Sequence, residues 1–84
     1  MYTRESILTY LNEVIKSENG NEVEEENILP ESNMDSFGYA IFWLSIEQKY
    51  GKCFPHDEIS KIDYKTLTIK AIIDRIIDAQ NNIA

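Results

Sequence analysis

Asp35-Ser36-Phe37 is the part of this sequence whose residue types could do chemistry, and it opens an apolar run that predicts a helix over residues 37–50. A serine at the start of a helix lies beside unpaired backbone N–H groups and the positive end of the helix dipole, which favour an attached phosphate. A serine that attacks a substrate needs a base to take its proton, and the sequence offers little that could do so. We therefore interpret Ser36 as a residue that another enzyme modifies. The simpler alternative is that Ser36 or Asp35 only caps the helix.

The reactive residue types in the second half of the chain form no convincing site. Cys53 and His56 are three residues apart in a predicted bend, and such a pair rarely acts as nucleophile and base without a third group to orient it. Asp57 and Glu58 suit the first turn of a short helix, whereas a hard metal cation needs several convergent oxygen ligands. The sequence predicts no catalytic residues and no metal site, so we expect that the protein is not an enzyme.

The composition indicates one small acidic domain over residues 1–84. Hydrophobic residues make up 43% of the 84 residues, which suffices for one core but not for a core and a deep active-site cleft. The net charge of −7 argues against nucleic acid as a ligand and favours a basic protein partner. A single cysteine fits a reducing compartment, and we find neither an apolar stretch of membrane length nor a signal-peptide core. We expect a cytoplasmic monomer that does not bind membranes.

Apolar periodicity predicts helices on both sides of a long connection. The first helix covers residues 4–16, with Thr3 as its N-cap. A last helix starts near Thr66 or Thr68 and ends near residue 79, and residues 56–61 could form a short helix between them. These elements predict an all-α fold, a small bundle of three to four helices with a long loop between the first two.

The connection over residues 17–34 should be held in place by its own apolar contacts, because structureless loops of this length are unusual in small domains. We expect its acidic residues to form a solvated surface. The predicted anchors are Val23, Ile28, Leu29 and Pro30, and the acidic residues are Glu24, Glu25 and Glu26.

The second helix carries two apolar stripes with helical spacing, and a domain of this size can hardly cover both. The stripe that we expect in the core is Tyr39, Phe42, Trp43, Ile46 and Tyr50. The second stripe is Phe37, Ala40, Ile41 and Leu44, followed by the polar residues Glu47 and Gln48. We expect Ile28 and Leu29 to cover part of the second stripe and the rest to remain exposed for docking a partner.

Short motifs follow Asp35-Ser36-Phe37 in a fixed order. They are Ile46-Glu47, Tyr50-Gly51, Phe54-Pro55, Asp57-Glu58, Ile62-Asp63 and Leu67-Thr68-Ile69, and the pair Ile28-Leu29 precedes the serine. With the long first helix and the long loop, this arrangement resembles the acyl carrier protein family over nearly the whole chain. The resemblance implies that the helical bundle is of the acyl carrier protein type.

The resemblance also implies a function. A phosphopantetheinyl transferase would attach 4′-phosphopantetheine from coenzyme A to Ser36, and Asp35 would help the transferase to recognise the site. The thiol of the arm would hold acyl groups as thioesters and present them to acyl-activating or acyl-transferring enzymes of lipid or secondary metabolite biosynthesis. The residues that would dock those enzymes are Phe37, Ala40, Ile41, Leu44, Glu47 and Gln48.

The sequence departs from the family pattern at several positions. Asn33 replaces a common glycine, although asparagine also tolerates left-handed geometry, and Gly38 and Ile41 stand where general fatty-acid carriers have acidic residues. We therefore predict a specialised carrier whose docking uses apolar burial as well as charge. The bulky rings of Tyr39, Phe42 and Trp43 predict cargo that is short, polar or left outside the helices. The alternative is an unmodified helical interaction or regulatory module that docks through the second stripe.

Overall fold

The computed structural model describes residues 2–54, 63 and 65–81. Within these residues the chain forms three α-helices, which are α1 (Arg4–Ser17), α2 (Ser36–Tyr50) and α3 (Ile69–Asn81), and a short 3-10 helix, Leu29–Ser32. No β-strand forms in this part of the chain, and the prediction of an all-helical fold is confirmed. The predicted short helix over residues 56–61 lies outside the described residues.

Helix α1 begins where its capping residue predicts. The Thr3 side chain accepts a hydrogen bond from the backbone N–H of Ser6, and the Ser6 hydroxyl oxygen accepts one from the backbone N–H of Thr3, each at 3.0 Å. This reciprocal pair satisfies two N–H groups at the helix start. The helix ends one residue later than predicted, and Asn19 then takes the left-handed conformation at φ 64°. Its buried face consists of Ile7, Leu11, Val14 and Ile15.

Helix α3 buries four isoleucines of its predicted apolar stripe, and the fifth, Ile77, is half-buried. Ile69, Ile72, Ile73 and Ile76 each have no exposed surface. The helix begins at Ile69, slightly later than predicted, because Thr68 forms an antiparallel bridge with Ile28. The Thr68 hydroxyl accepts a hydrogen bond from the Ala71 N–H at 3.1 Å, as an N-cap side chain does.

The segment between α1 and α2 is held against α1 and against the residues around the start of α3. The Asn12 side chain in α1 both donates to the Val23 carbonyl at 3.0 Å and accepts from the Val23 N–H at 2.8 Å. The Leu29 N–H donates to the Leu67 carbonyl at 2.7 Å. Val23 and Leu29 are buried as predicted, but Pro30 is exposed and does not anchor the segment in the core.

The acidic residues of this segment are only partly a solvated surface. Glu24 and Glu26 are exposed, whereas the Glu25 carboxylate pairs with Arg4 at 2.5 Å. Arg4 also pairs with Asp74 of α3 at 2.6 Å. One arginine therefore links α1, the connecting segment and α3 on the surface.

The core lies where the inner faces of the three helices meet the connecting segment. Helix α2 contributes Phe42, Ile46 and Tyr50, which are at most 4% exposed. The α3 isoleucines and the buried α1 face complete the same cluster. Among the described residues, none of the helices combines the length and apolar character that crossing a membrane requires.

Candidate functional site

Helix α2 starts at Ser36, and Asp35 is its N-cap. The Asp35 backbone is extended, and its carboxylate accepts a hydrogen bond from the Gly38 N–H at 2.7 Å. The capping alternative therefore applies to Asp35, whereas Ser36 is the first residue inside the helix. The Ser36 side chain is exposed. A serine hydroxyl thus stands at the positive end of the helix dipole, within reach of another protein's active site.

The chain reaches this helix start through a tight turn. Asn33 takes the left-handed conformation with φ 57° and ψ 35°, the geometry that an asparagine tolerates and that the sequence indicated. The next residue, Met34, is 7% exposed and joins the core. The turn therefore fixes the backbone immediately before Asp35 and Ser36.

Gly38 is buried. The resemblance to general fatty-acid carriers, which have an acidic residue at this position, predicted an exposed one. A Cβ at this position would lie 3.0 Å from the Met34 Cβ and 3.4 Å from the Glu18 Cβ. The first turn of α2 packs closely against the turn before it and the end of α1, which leaves little room for a side chain. Gly38 therefore supports the position of Ser36 and does not belong to a docking surface.

A mostly apolar groove opens directly beside Ser36. Its described lining consists of Pro30, Ser36, Tyr39, Ala40 and Trp43, and we call it the Ser36 groove. The four α2 residues follow the spacing i, i+3, i+4 and i+7, so they form one face of the helix with the serine at its start. Pro30 faces them from the 3-10 helix.

The groove corrects the sequence interpretation of Tyr39 and Trp43. Both were expected to face the core, but each is only half-buried. They pack against the core cluster and also line the groove. Their helical spacing from Ser36 is visible in the sequence, but it fits a core stripe as well as it fits a groove.

Aromatic contacts fix the position of the Trp43 ring. Its centroid lies 5.3 Å from Phe42 and 4.9 Å from Phe54, and both pairs have edge-to-face geometry. The Arg75 guanidinium lies 5.6 Å from the Phe54 ring, and its Nε donates to the Cys53 carbonyl at 3.0 Å. Contacts that extend from the core to α3 therefore hold this wall of the groove.

The second apolar stripe of α2, which we call the Phe37 face, consists of Phe37, Ala40, Ile41 and Leu44. Phe37 is 68% exposed and Leu44 is 52% exposed. Ala40 is also exposed and Ile41 is half-buried. Beyond the stripe, Gln48 is exposed and Glu47 is half-buried. Leu29 is fully buried in the core, and Phe37 and Leu44 remain open to solvent.

Cys53 is a structural residue. Its thiol is buried, and this burial raises the pKa of the Cys53 thiol. The Sγ donates to the Tyr50 carbonyl at 3.6 Å. His56, whose pairing with Cys53 the sequence disfavours, lies outside the described residues.

Comparisons of the chain with protein-family models, with curated proteins and with solved structures found no match. Function must therefore be inferred from Ser36 and its surroundings. The three features that any function has to explain are the exposed serine, the groove beside it and the Phe37 face.

Proposed function

We propose that this protein is a carrier of the acyl carrier protein type. A 4′-phosphopantetheine arm on Ser36 holds acyl groups as thioesters and presents them to partner enzymes. The observation that carries the proposal is the exposed Ser36 hydroxyl on the first residue of α2, directly after the capping Asp35. The long connection between α1 and α2 and the order of the motifs along the chain support the same assignment.

The attachment is a group transfer that a separate transferase catalyses. Ser36 Oγ forms a bond to the phosphorus next to the pantetheine part of coenzyme A. The bond from that phosphorus to the nucleotide phosphate breaks, adenosine 3′,5′-bisphosphate leaves, and the hydroxyl proton passes to the transferase. The resulting phosphodiester carries a negative charge at the N-terminus of α2, where the helix dipole stabilises it.

The Phe37 face is the proposed docking surface for the partner enzymes. Phe37, next to Ser36, is 68% exposed, and Leu44, further along α2, is 52% exposed. The net charge of −7 favours a partner with basic residues around its binding surface. The exposed apolar side chains of this face, on an acidic protein, support a specialised carrier whose docking uses apolar burial as well as charge.

The test is the intact mass of the purified protein after incubation with coenzyme A, Mg²⁺ and a broad-specificity phosphopantetheinyl transferase. Wild type should gain one phosphopantetheine group. Ser36→Ala should gain none, and Ser45→Ala, which alters another serine of the same helix, should be modified like wild type. A folded wild type that stays unmodified under these conditions would contradict the carrier assignment.

The alternative function is an unmodified interaction or regulatory module. The specific observation in its favour is the exposure of Phe37 and Leu44, which would serve a docking function with or without an arm. The same mass measurement separates the two proposals, since the alternative predicts no modification of Ser36.

A further inference from the structure

We propose that the Ser36 groove is a binding site for the pantetheine arm itself. The arm lies along the outer surface of α2, with its gem-dimethyl and methylene groups between Pro30 and the Tyr39 and Trp43 rings. This inference depends on the proposed attachment to Ser36. It adds a resting position for the arm that attachment alone does not require.

The position of the attachment atom identifies the occupant. Ser36 is itself part of the groove wall, so a group bonded to its hydroxyl starts inside the groove. Tethering makes the binding intramolecular, and even weak apolar contacts are then occupied at a high effective concentration. A free ligand would lack this advantage in a shallow site.

The groove is prepared for an apolar ligand. Trp43 is held between Phe42 and Phe54 by edge-to-face contacts, so little side-chain freedom is lost when a group packs against its ring. Ala40 occupies the middle of the α2 face, and its single methyl group leaves space between the flanking aromatic residues. The lining is therefore rigid at one end and open at its centre.

The inner face of α2 is a poorer place for the arm. Phe42 and Ile46 are at most 1% exposed and pack in one cluster with Leu29 and the α3 isoleucines. A chain that entered there would displace side chains from a packed core, which is costly. The outer groove needs no such rearrangement.

The length of the groove determines what lies beyond it. From Ser36 to Trp43 the helix advances about 10 Å, at 1.5 Å per residue. An extended pantetheine chain is longer than this distance, so only its first part fills the groove, and the thioester and its cargo lie beyond Trp43 and outside the core. The adjacent Phe37 face shares Ala40 with the groove, so an enzyme docked on that face would lie beside the arm.

Trp43 is the single tryptophan of the chain, so its fluorescence reports on the groove directly. The experiment compares acrylamide quenching of the apo protein and the phosphopantetheine-loaded protein, each verified by intact mass. Attachment should reduce the quenching constant of wild type. In Ala40→Phe, whose added ring fills the groove, attachment should leave the constant unchanged. Lys49→Phe adds the same ring at an exposed position of α2 that belongs neither to the groove nor to the docking residues, and it should respond like wild type.

A second measurement does not depend on a variant. In loaded wild type, nuclear Overhauser contacts should connect the gem-dimethyl protons with the ring protons of Trp43 or Tyr39. A fully loaded wild type with unchanged quenching and without these contacts would overturn the groove proposal and leave the carrier function intact. A wild type that gains no mass would overturn both.

Discussion

Helices α2 and α3 have nearly the same length but use their apolar residues differently. In α3 the four isoleucines of the inner face are completely buried, and outward-facing Asp74 pairs with Arg4 and Lys70. In α2 the inner face is equally well buried, yet Phe37 and Leu44 lie in solvent. Folding accounts for the apolar residues of α3. Folding does not account for the exposed apolar residues of α2, Phe37 and Leu44, which lie on the same helix as Ser36.

Two phenylalanines of α2 provide the strongest test of this difference. Phe42→Ala removes a fully buried ring and should lower the free energy of unfolding by roughly 3–5 kcal/mol. Phe37→Ala removes a ring that is 68% exposed and should change it by less than about 0.5 kcal/mol. Chemical denaturation of both variants measures the two values. A loss of stability in Phe37→Ala as large as that in Phe42→Ala would show that the Phe37 face belongs to the fold.

Sequence periodicity could predict the helices because their buried faces repeat at helical spacing. The α1 and α3 stripes consist of large aliphatic residues with polar residues between them, so only one orientation buries them well. The Thr3 cap was also visible, since its partners lie within the next turn. Burial of Val23 and Leu29 followed from their apolar character in an otherwise polar segment.

The features around Ser36 were harder to predict because α2 is apolar on more than one side. Periodicity alone could not decide whether Tyr39 and Trp43 point inward or line a groove, since the answer depends on where Pro30 lies. The cap was ambiguous because adjacent Asp35 and Ser36 are both good N-cap residues. The close packing that buries Gly38 comes from Met34 and Glu18, and no local pattern reveals such contacts.

Asp35 combines a structural contact with a proposed recognition role, and two variants separate them. Asp35→Ala removes the 2.7 Å hydrogen bond to the Gly38 N–H and should destabilise the protein by about 1 kcal/mol. Asp35→Asn keeps an oxygen that can cap the helix and should stay close to wild type in thermal unfolding. If Asp35→Asn unfolds as readily as Asp35→Ala, the carboxylate charge contributes more than the cap geometry. Slower loading of Asp35→Asn by the transferase, at unchanged stability, would isolate the recognition role.

Replacing Tyr50, at the other end of α2, should give the smallest change in the free energy of unfolding, and that change should be an increase. Its hydroxyl is buried without a hydrogen-bond partner in the described part of the chain. Because a buried polar group without a partner costs free energy, Tyr50→Phe should stabilise the protein by roughly 0.5–1 kcal/mol. Tyr10→Phe is the matched control, since the Tyr10 hydroxyl donates to the Ser45 carbonyl at 3.2 Å and its loss should destabilise. Equal changes in stability in both variants would contradict the inference that the buried Tyr50 hydroxyl destabilises the protein.

The alkaline stability of the protein tests the same hydroxyl independently. Burial, and then the neighbouring Tyr2 and Tyr10, raise the pKa of Tyr50 from 10.0 to about 12. The folded state therefore holds the Tyr50 proton more tightly than the unfolded state does. The Tyr50 hydroxyl therefore has no pH-dependent effect on stability below pH 10. As the pH rises from about 10 to about 12 the stability falls, because the Tyr50 hydroxyl of the unfolded chain loses its proton first. Denaturation midpoints should thus fall more steeply with pH in wild type than in Tyr50→Phe, and parallel curves would show that Tyr50 titrates alike in both states.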